Sequence, residues 1–395
     1  MPILPRGNYL SYLECSQCAR RFDPNQIQTY CPDCNAPLVA RYNLAGARRE
    51  LDRDAFARRP RGMWRWRELL PVQDPTAILS LGEGDTPTLL LPRQGTVLGL
   101  ERLWLKEEGV NPTGSFKVRG LAAAVSKARE LGVRKLAVPT AGNAGGALAA
   151  YAARGGLQAY IAMPADTPLA NRVECEACGA TVELVEGVIS DAAARVRARM
   201  EAEPGWFDVS TFKEPYRLEG KKIMGYEIAE AFGWKLPDVI VYPTGGGTGL
   251  VGIWKAFQEL RELGWLETQH LPRMVVVQAA GCAPVVQAWE SGAEQCDVWQ
   301  GAHTLASGLR VPKSFADRMI LQTLQHSEGT AVAVPDELIL QAQGRLAALE
   351  GIFAAPEGAA TLAGLVELLD RGWIRPQEQV LVLNTAAGLK YIQHN

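Results

Sequence analysis

No apolar run in this chain is long enough to cross a bilayer; its longest small-residue stretch is broken by Asn143 and Arg154. The opening Met1-Pro2-Ile3-Leu4-Pro5-Arg6-Gly7 lacks the apolar core of a secretory signal. Neither sign of charge dominates. The 41 lysines and arginines against 43 aspartates and glutamates leave a formal net charge of -2, which argues against a general nucleic-acid or anionic-membrane surface. Internal repeats and low-complexity tracts are missing, so no repeat array is expected. A disulfide framework is missing too: four of the 8 cysteines crowd the first tenth of the chain and the rest are scattered. These absences leave a soluble, cytoplasmic protein with no nucleic-acid or membrane partner as the expectation. With 395 residues, 47% of them hydrophobic, the chain can bury a large core and form two lobes with a small appendage.

What is present begins with the early cysteines. Cys15-x-x-Cys18 and Cys31-x-x-Cys34 have the spacing of one tetrahedral zinc held between two turns. Strand-like pieces at 9–14 and 37–42 flank them. The segment is too small to bury its own core, so a structural metal would supply the missing stability. Cys175 and Cys178 repeat the spacing without a second pair nearby and read as ordinary helix cysteines. A charged connector containing Arg58-Arg59-Pro60-Arg61-Gly62 follows, read as a solvated helix and turn.

Beyond it, strand-like pieces at 103–106, 135–138, 159–163, 181–185, 239–242, 273–277 and 380–383 alternate with helical pieces at 121–130, 147–154, 191–200 and 220–231. That alternation predicts an α/β fold, a parallel sheet covered by helices on both faces. Ligands in such folds sit at the carboxyl ends of strands, where the strongest motifs here fall.

The first motif is Asn111-Pro112-Thr113-Gly114-Ser115-Phe116-Lys117. Asn-Pro sets an extended or turn conformation, and Gly114 permits a tight bend. Lys117 then stands at the mouth of an alanine-rich helix, near the positive end of its dipole, where losing a proton is eased. A neutral amine is what covalent chemistry on a carbonyl cofactor requires.

Two glycine-rich turns follow strands and open helices. Thr140-Ala141-Gly142-Asn143-Ala144 is built of small residues that let backbone amides approach an anion. Gly245-Gly246-Gly247-Thr248-Gly249 offers a nest of backbone donors suited to a phosphate dianion. It is neither a Walker loop nor a dinucleotide fingerprint, since the lysine and the glycine register of those motifs are missing.

The lysine motif, which runs on through Val118-Arg119-Gly120, both glycine-rich turns and the terminal Asn384-Thr385-Ala386-Ala387-Gly388-Leu389-Lys390 resemble the tryptophan-synthase-β-like, fold type II enzymes that use pyridoxal phosphate. Within that family the cysteine pairs, Leu81-Gly82-Glu83-Gly84-Asp85-Thr86-Pro87 and Pro215-Tyr216-Arg217-Leu218-Glu219-Gly220 are similar to bacterial threonine synthases bearing a zinc ribbon. The resemblance implies two parallel-sheet lobes with an N-terminal ribbon: ribbon 1–45, linker 46–75, a large lobe from 76–112 and 211–395, and a smaller lobe 113–210 with the lysine and asparagine loop. It implies that Lys117 carries pyridoxal 5'-phosphate and is the catalytic base and acid. Asn143 would then bond the cofactor's ring oxygen, Gly245, Gly246, Gly247, Thr248 and Gly249 would hold its phosphate, and Thr385 would face its ring nitrogen. Thr140, Ala141, Gly142, Asn143 and Ala144 would meet the substrate, with Ser210, Thr211 and Arg217 on a phosphate it carries. A guanidinium forks bidentately onto phosphate oxygens.

The implied activity is conversion of O-phospho-L-homoserine and water to L-threonine and phosphate. There are departures: Val118 where an acidic residue is common, Ala141 and Ala144 where hydroxyls are common, and Ala354-Ala355-Pro356-Glu357-Gly358 in place of a Glu-Pro-Ala form. They bear on substrate rather than on fold or cofactor, and keep open a threonine or serine dehydratase and a β-replacing cysteine- or cysteate-type synthase. A cofactor-binding regulator or ribbon-mediated interaction protein without turnover is the alternative of a different class. The partner expected is a small amino acid, and a homodimer is the assembly left open.

Overall fold

The computed structural model describes residues 7–392. Its parallel strands are the apolar runs that the sequence offers, joined through helices. Near the start, β1 (Leu10–Cys15), β2 (Arg21–Phe22) and β3 (Leu38–Tyr42) form a small antiparallel sheet in the order β2-β1-β3. The large lobe is built on β4 (Thr88–Leu90) and β5 (Leu103–Glu107). The second sheet comprises β6 (Lys135–Pro139), β7 (Gln158–Pro164), β8 (Thr181–Val185) and β9 (Trp206–Asp208). The chain then returns to the first with β10 (Val239–Pro243), β11 (Arg273–Ala279), β12 (Thr330–Val334) and β13 (Val380–Asn384).

The six-stranded order is β12-β11-β10-β13-β5-β4, parallel except for the edge pair β4–β5. The four-stranded order is β8-β7-β6-β9, parallel throughout. In the middle of the large sheet, β10 and β13 are buried at every residue. Strands buried on both faces read as continuous apolar runs such as Val239-Ile240-Val241-Tyr242, and they force helices onto both faces.

The segment read as a connector is not a solvated linker. Helices Leu44–Glu50 and Arg53–Phe56 and the 3-10 turn Met63–Leu69 bury Phe56, Met63, Trp66 and Leu69 in the main core. Trp66 stacks on Phe56 at 4.7 Å and packs edge-on against Tyr226 at 5.3 Å. Arg58 and Arg61 do face solvent, but Arg59 pairs with Glu68 at 2.7 Å and Arg65 with Asp85 at 2.7 Å. Tryptophan, with its large apolar area, is what draws this charged stretch inward.

The ribbon packs on the body in the same way. Leu13, Cys15, Cys31 and Leu38 share one apolar cluster with Ala124 and Tyr216. Two of the helices begin earlier than their apolar patterns suggest: Lys117–Glu130 starts at the lysine itself, and Asn143–Gly155 at the asparagine.

Candidate active site

Each candidate residue is held by a strand end or a helix start. Thr113 and Gly114 both adopt left-handed backbone, with φ of 58° and 62°, a conformation costly for threonine and free for glycine. This double bend turns the chain so that Ser115 bridges to Ala386, and the Phe116 N–H donates to the Thr385 carbonyl at 2.9 Å. The lysine motif and the terminal motif, far apart in sequence, are thereby bonded directly. Lys117 follows as the first residue of its helix, where the unpaired N–H groups favour a neutral amine over an ammonium.

A narrow inner recess of about 50 Å³ opens beside Lys117. It is lined by every residue expected to hold the cofactor: Asn143, Gly245, Gly246, Gly247, Thr248, Gly249 and Thr385. Gly246 and Gly247 show why this loop must be glycine. A Cβ on Gly246 would stand 2.8 Å from the Thr211 methyl, and Gly247 has φ of 77° before the helix Thr248–Leu263 begins. The amino end of that helix therefore faces the recess with free backbone donors.

A larger cavity of about 710 Å³ continues outward from the same lysine. Thr140, Ala141, Gly142, Asn143, Ala144, Ser210, Thr211 and Arg217 all line it. Arg217 is 1% exposed. Its Nη1 donates to the Val209 carbonyl at 2.7 Å, whereas its Nε finds no partner among the described residues. Glu214 does not take the guanidinium; it accepts the backbone N–H groups of Tyr216 and Arg217 at 2.7 and 3.0 Å, capping their helix. Ser210 is turned toward Asp208, to which its backbone N–H also donates at 2.8 Å.

The electrostatics follow from burial. Lys117 is lowered to about 8, first by desolvation and then by Arg217, with Glu357 opposing. The Arg217 guanidinium is itself pushed down by burial, against the pull of Glu214. Burial pushes the Glu357 carboxyl up.

Several site residues had no motif to mark them. Glu357 and Tyr391 line the inner recess, and both Ser307 and Gly308 reach the outer cavity. Lys221 is fully buried without a polar partner among the described residues, its Nζ 3.4 Å from the centre of the Phe116 ring. Trp299 and Phe315, from the irregular segment after the helix Pro284–Glu290, form part of the outer wall.

Away from this site, the four early cysteines converge. Their sulfurs lie within 4.8 Å of one another, with Cys15 Sγ to Cys34 Sγ at 3.3 Å and Cys18 Sγ to Cys31 Sγ at 3.7 Å. Four thiolates about 2.3 Å from one tetrahedral zinc stand roughly 3.8 Å apart, so the set fits that ion. Tyr30, next to Cys31, packs edge-on against Phe315 at 5.6 Å, linking the ribbon to the cavity wall. Burial raises the Cys175 thiol to about 12, which suits an inert core residue.

A buried lysine of lowered basicity, a glycine nest at a helix start and a strand-end threonine around one recess define an enzyme that takes a phosphorylated carbonyl cofactor. The family model "Pyridoxal-phosphate dependent enzyme" matches residues 79–386, and the chain belongs to that family. Curated relatives extend the match over the ribbon. A threonine synthase of Methanosarcina acetivorans is 36% identical over 381 residues, covering 96% of this chain and 92% of its own. One from Methanocaldococcus jannaschii is 34% identical over 377 residues, covering 95% and 92%. Among solved structures, a fungal L-serine ammonia-lyase from Rhizomucor miehei superposes with a TM-score of 0.66 at 20% identity, covering 77% of this chain and 94% of that one. That likeness shows the fold, two parallel-sheet lobes of fold type II.

Proposed function

We propose that this chain is a threonine synthase, converting O-phospho-L-homoserine and water to L-threonine and phosphate. The reading is supported by the near full-length similarity to threonine synthases. The observation that carries the substrate is Arg217: a buried guanidinium with an unpaired Nε–H on the wall of the cavity that Lys117 enters. An unpaired buried cation is costly, and a phosphate dianion would satisfy it.

The residues present fit pyridoxal 5'-phosphate. Asn143 lines the recess and keeps one Nδ2–H beyond its bond to Tyr391, and the glycine nest leaves room where any Cβ would clash. Lys117 would hold the cofactor's carbonyl carbon, the Gly245–Gly249 nest its phosphate, Asn143 its ring oxygen and Thr385 its ring nitrogen. Bound there, the cofactor supplies an electron sink for the substrate's α-carbon. A hydroxyl rather than a carboxylate at the ring nitrogen does not enforce its protonation, which favours elimination and replacement along the side chain over transamination.

The remaining work falls to the chain. Thr140, Gly142 and their neighbours cradle the substrate carboxylate with backbone amides. Lys117 Nζ, which burial makes easier to deprotonate than an ordinary lysine, takes and returns protons on one face of the substrate. Arg217 grips the phosphate as it departs, with Thr211 as a hydroxyl donor; Ser210, whose hydroxyl donates to Asp208, would join only by turning away from that carboxylate. Trp299 and Phe315 add apolar surface to the outer wall, which would shield the substrate from bulk water.

Zinc held by Cys15, Cys18, Cys31 and Cys34 as thiolates completes the ribbon as a structural centre. No helix among the described residues is long and apolar enough to cross a membrane; we place the reaction in the cytoplasm, with a homodimer as the assembly to look for. A substrate panel tests the whole reading. Phosphate and threonine should appear together from O-phospho-L-homoserine, whereas keto acid formed from threonine or serine as the fastest reaction would replace it with a dehydratase.

A further inference from the structure

Asn143 has two ways to orient its amide, which exchange the places of its N–H groups and its oxygen. A short chain of hydrogen bonds selects between them. The Gly308 N–H donates to Glu357 Oε1 at 2.7 Å, and Tyr391 Oη donates to the same oxygen at 2.8 Å. A carboxylate is acceptor-only, so the single hydroxyl hydrogen of Tyr391 is committed to Glu357. Tyr391 Oη must then accept, and it does so from Asn143 Nδ2 at 3.2 Å. The direction survives protonation of Glu357, because Oε1 already takes two donors and the proton would go to the unpartnered Oε2. All three side chains line the inner recess. Gly308 is held to glycine by the same contact, since a Cβ there would meet Glu357 Oε1 at 2.7 Å.

We infer that Tyr391 and Glu357 are positioning residues: they lock the Asn143 amide so that its second N–H faces the ring oxygen of the bound cofactor. The inference rests on the cofactor reading above and adds a support that no motif marks. Asn143 without this lock would turn its amide freely, and its N–H would be shared between two directions. An N–H held on the ring oxygen stabilises negative charge there, which makes the proton at Lys117 Nζ easier to lose in the loaded enzyme.

The test is the pH midpoint of the visible band of the cofactor-loaded full-length protein, which reports that proton directly and needs no turnover. Tyr391→Phe should move the midpoint upward by about half a pH unit or more, the scale of one hydrogen bond. Asn143→Ala should move it at least as far, and the double variant no further than Asn143→Ala alone. An unchanged midpoint in Tyr391→Phe, or full additivity in the double variant, overturns the lock. Should Tyr391→Phe fail to fold, Glu357→Gln and Glu357→Ala give an independent comparison. Both lose the charge near Lys117, but only the glutamine oxygen still accepts from Tyr391, so the alanine variant should have the higher midpoint. Equal midpoints contradict the inference. A wild-type protein with no visible band after incubation with pyridoxal phosphate would instead refute the cofactor reading, and the lock with it.

Discussion

Lys117 carries the chemistry because its surroundings loosen the proton that an ordinary lysine holds tightly. Desolvation first, and Arg217 second, bring it to about 8. Lowering a lysine's value favours the neutral amine, so the reactive form accumulates as pH rises through about 8 instead of through the usual alkaline range. The rate at which the cofactor-free protein takes up pyridoxal phosphate should rise with a midpoint near that value. Replacing Arg217 by alanine removes a positive neighbour and should move the midpoint upward; a downward shift would mean that the two groups do not interact in this sense. Arg217 also separates the proposed substrate from unphosphorylated amino acids. A charge-assisted contact is worth about 1.5–3 kcal/mol, or roughly ten- to a hundredfold in kcat/KM. Arg217→Ala and Arg217→Lys should lose that much on O-phospho-L-homoserine while cofactor absorbance stays near wild type. Equal, small losses on phosphorylated and unphosphorylated substrates would remove the clamp.

Among the elements, the glycine turn after β10 is shaped by what surrounds it. The Thr211 methyl would lie 2.8 Å from a Cβ on Gly246. Gly246→Ala should weaken pyridoxal phosphate binding about tenfold or more in equilibrium titration, and Thr211→Ser, which removes the opposing methyl, should restore part of it. No rescue would mean that the loop fails for a different reason. The ribbon is a second element with reach beyond itself. Tyr216, the neighbour of Arg217, donates its hydroxyl to the Pro24 carbonyl at 3.4 Å, and Tyr30 packs on Phe315 of the cavity wall. One zinc per chain is expected by metal analysis, lost on replacing Cys18 and Cys34 by serine. Tyr30→Ala should raise KM severalfold with kcat and cofactor absorbance little changed; an unaltered KM would confine the ribbon to a purely architectural role.

Across the whole molecule, what the sequence made legible were features with local spacing. The cysteine pairs, the lysine turn and both glycine turns each declare themselves within a few residues; the fold gathers the lysine and glycine turns at strand ends and keeps the cysteines apart in the ribbon. Features assembled by topology were not visible. Asn143, Gly308, Glu357 and Tyr391 meet only because β6, β13 and the helix Pro356–Asp370 bring four distant segments together. Glu357 did sit in a segment that departs from the commoner pattern, a signal pointing to substrate rather than to its hydrogen bonds. The edge strand β4 and the strand β9, three residues each, are too short to show alternation. In the connector, arginines outweighed Trp64 and Trp66 in the reading, although Trp66 is fully buried.

The most direct test of the account follows the oxygen atoms. In water enriched in oxygen-18, the purified enzyme with O-phospho-L-homoserine should release one phosphate per threonine. Elimination breaks the carbon–oxygen bond, so the phosphate keeps its bridging oxygen and carries no label, while the threonine hydroxyl takes its oxygen from solvent. Labelled phosphate with homoserine as the product would reveal simple phosphoester hydrolysis and contradict the central claim.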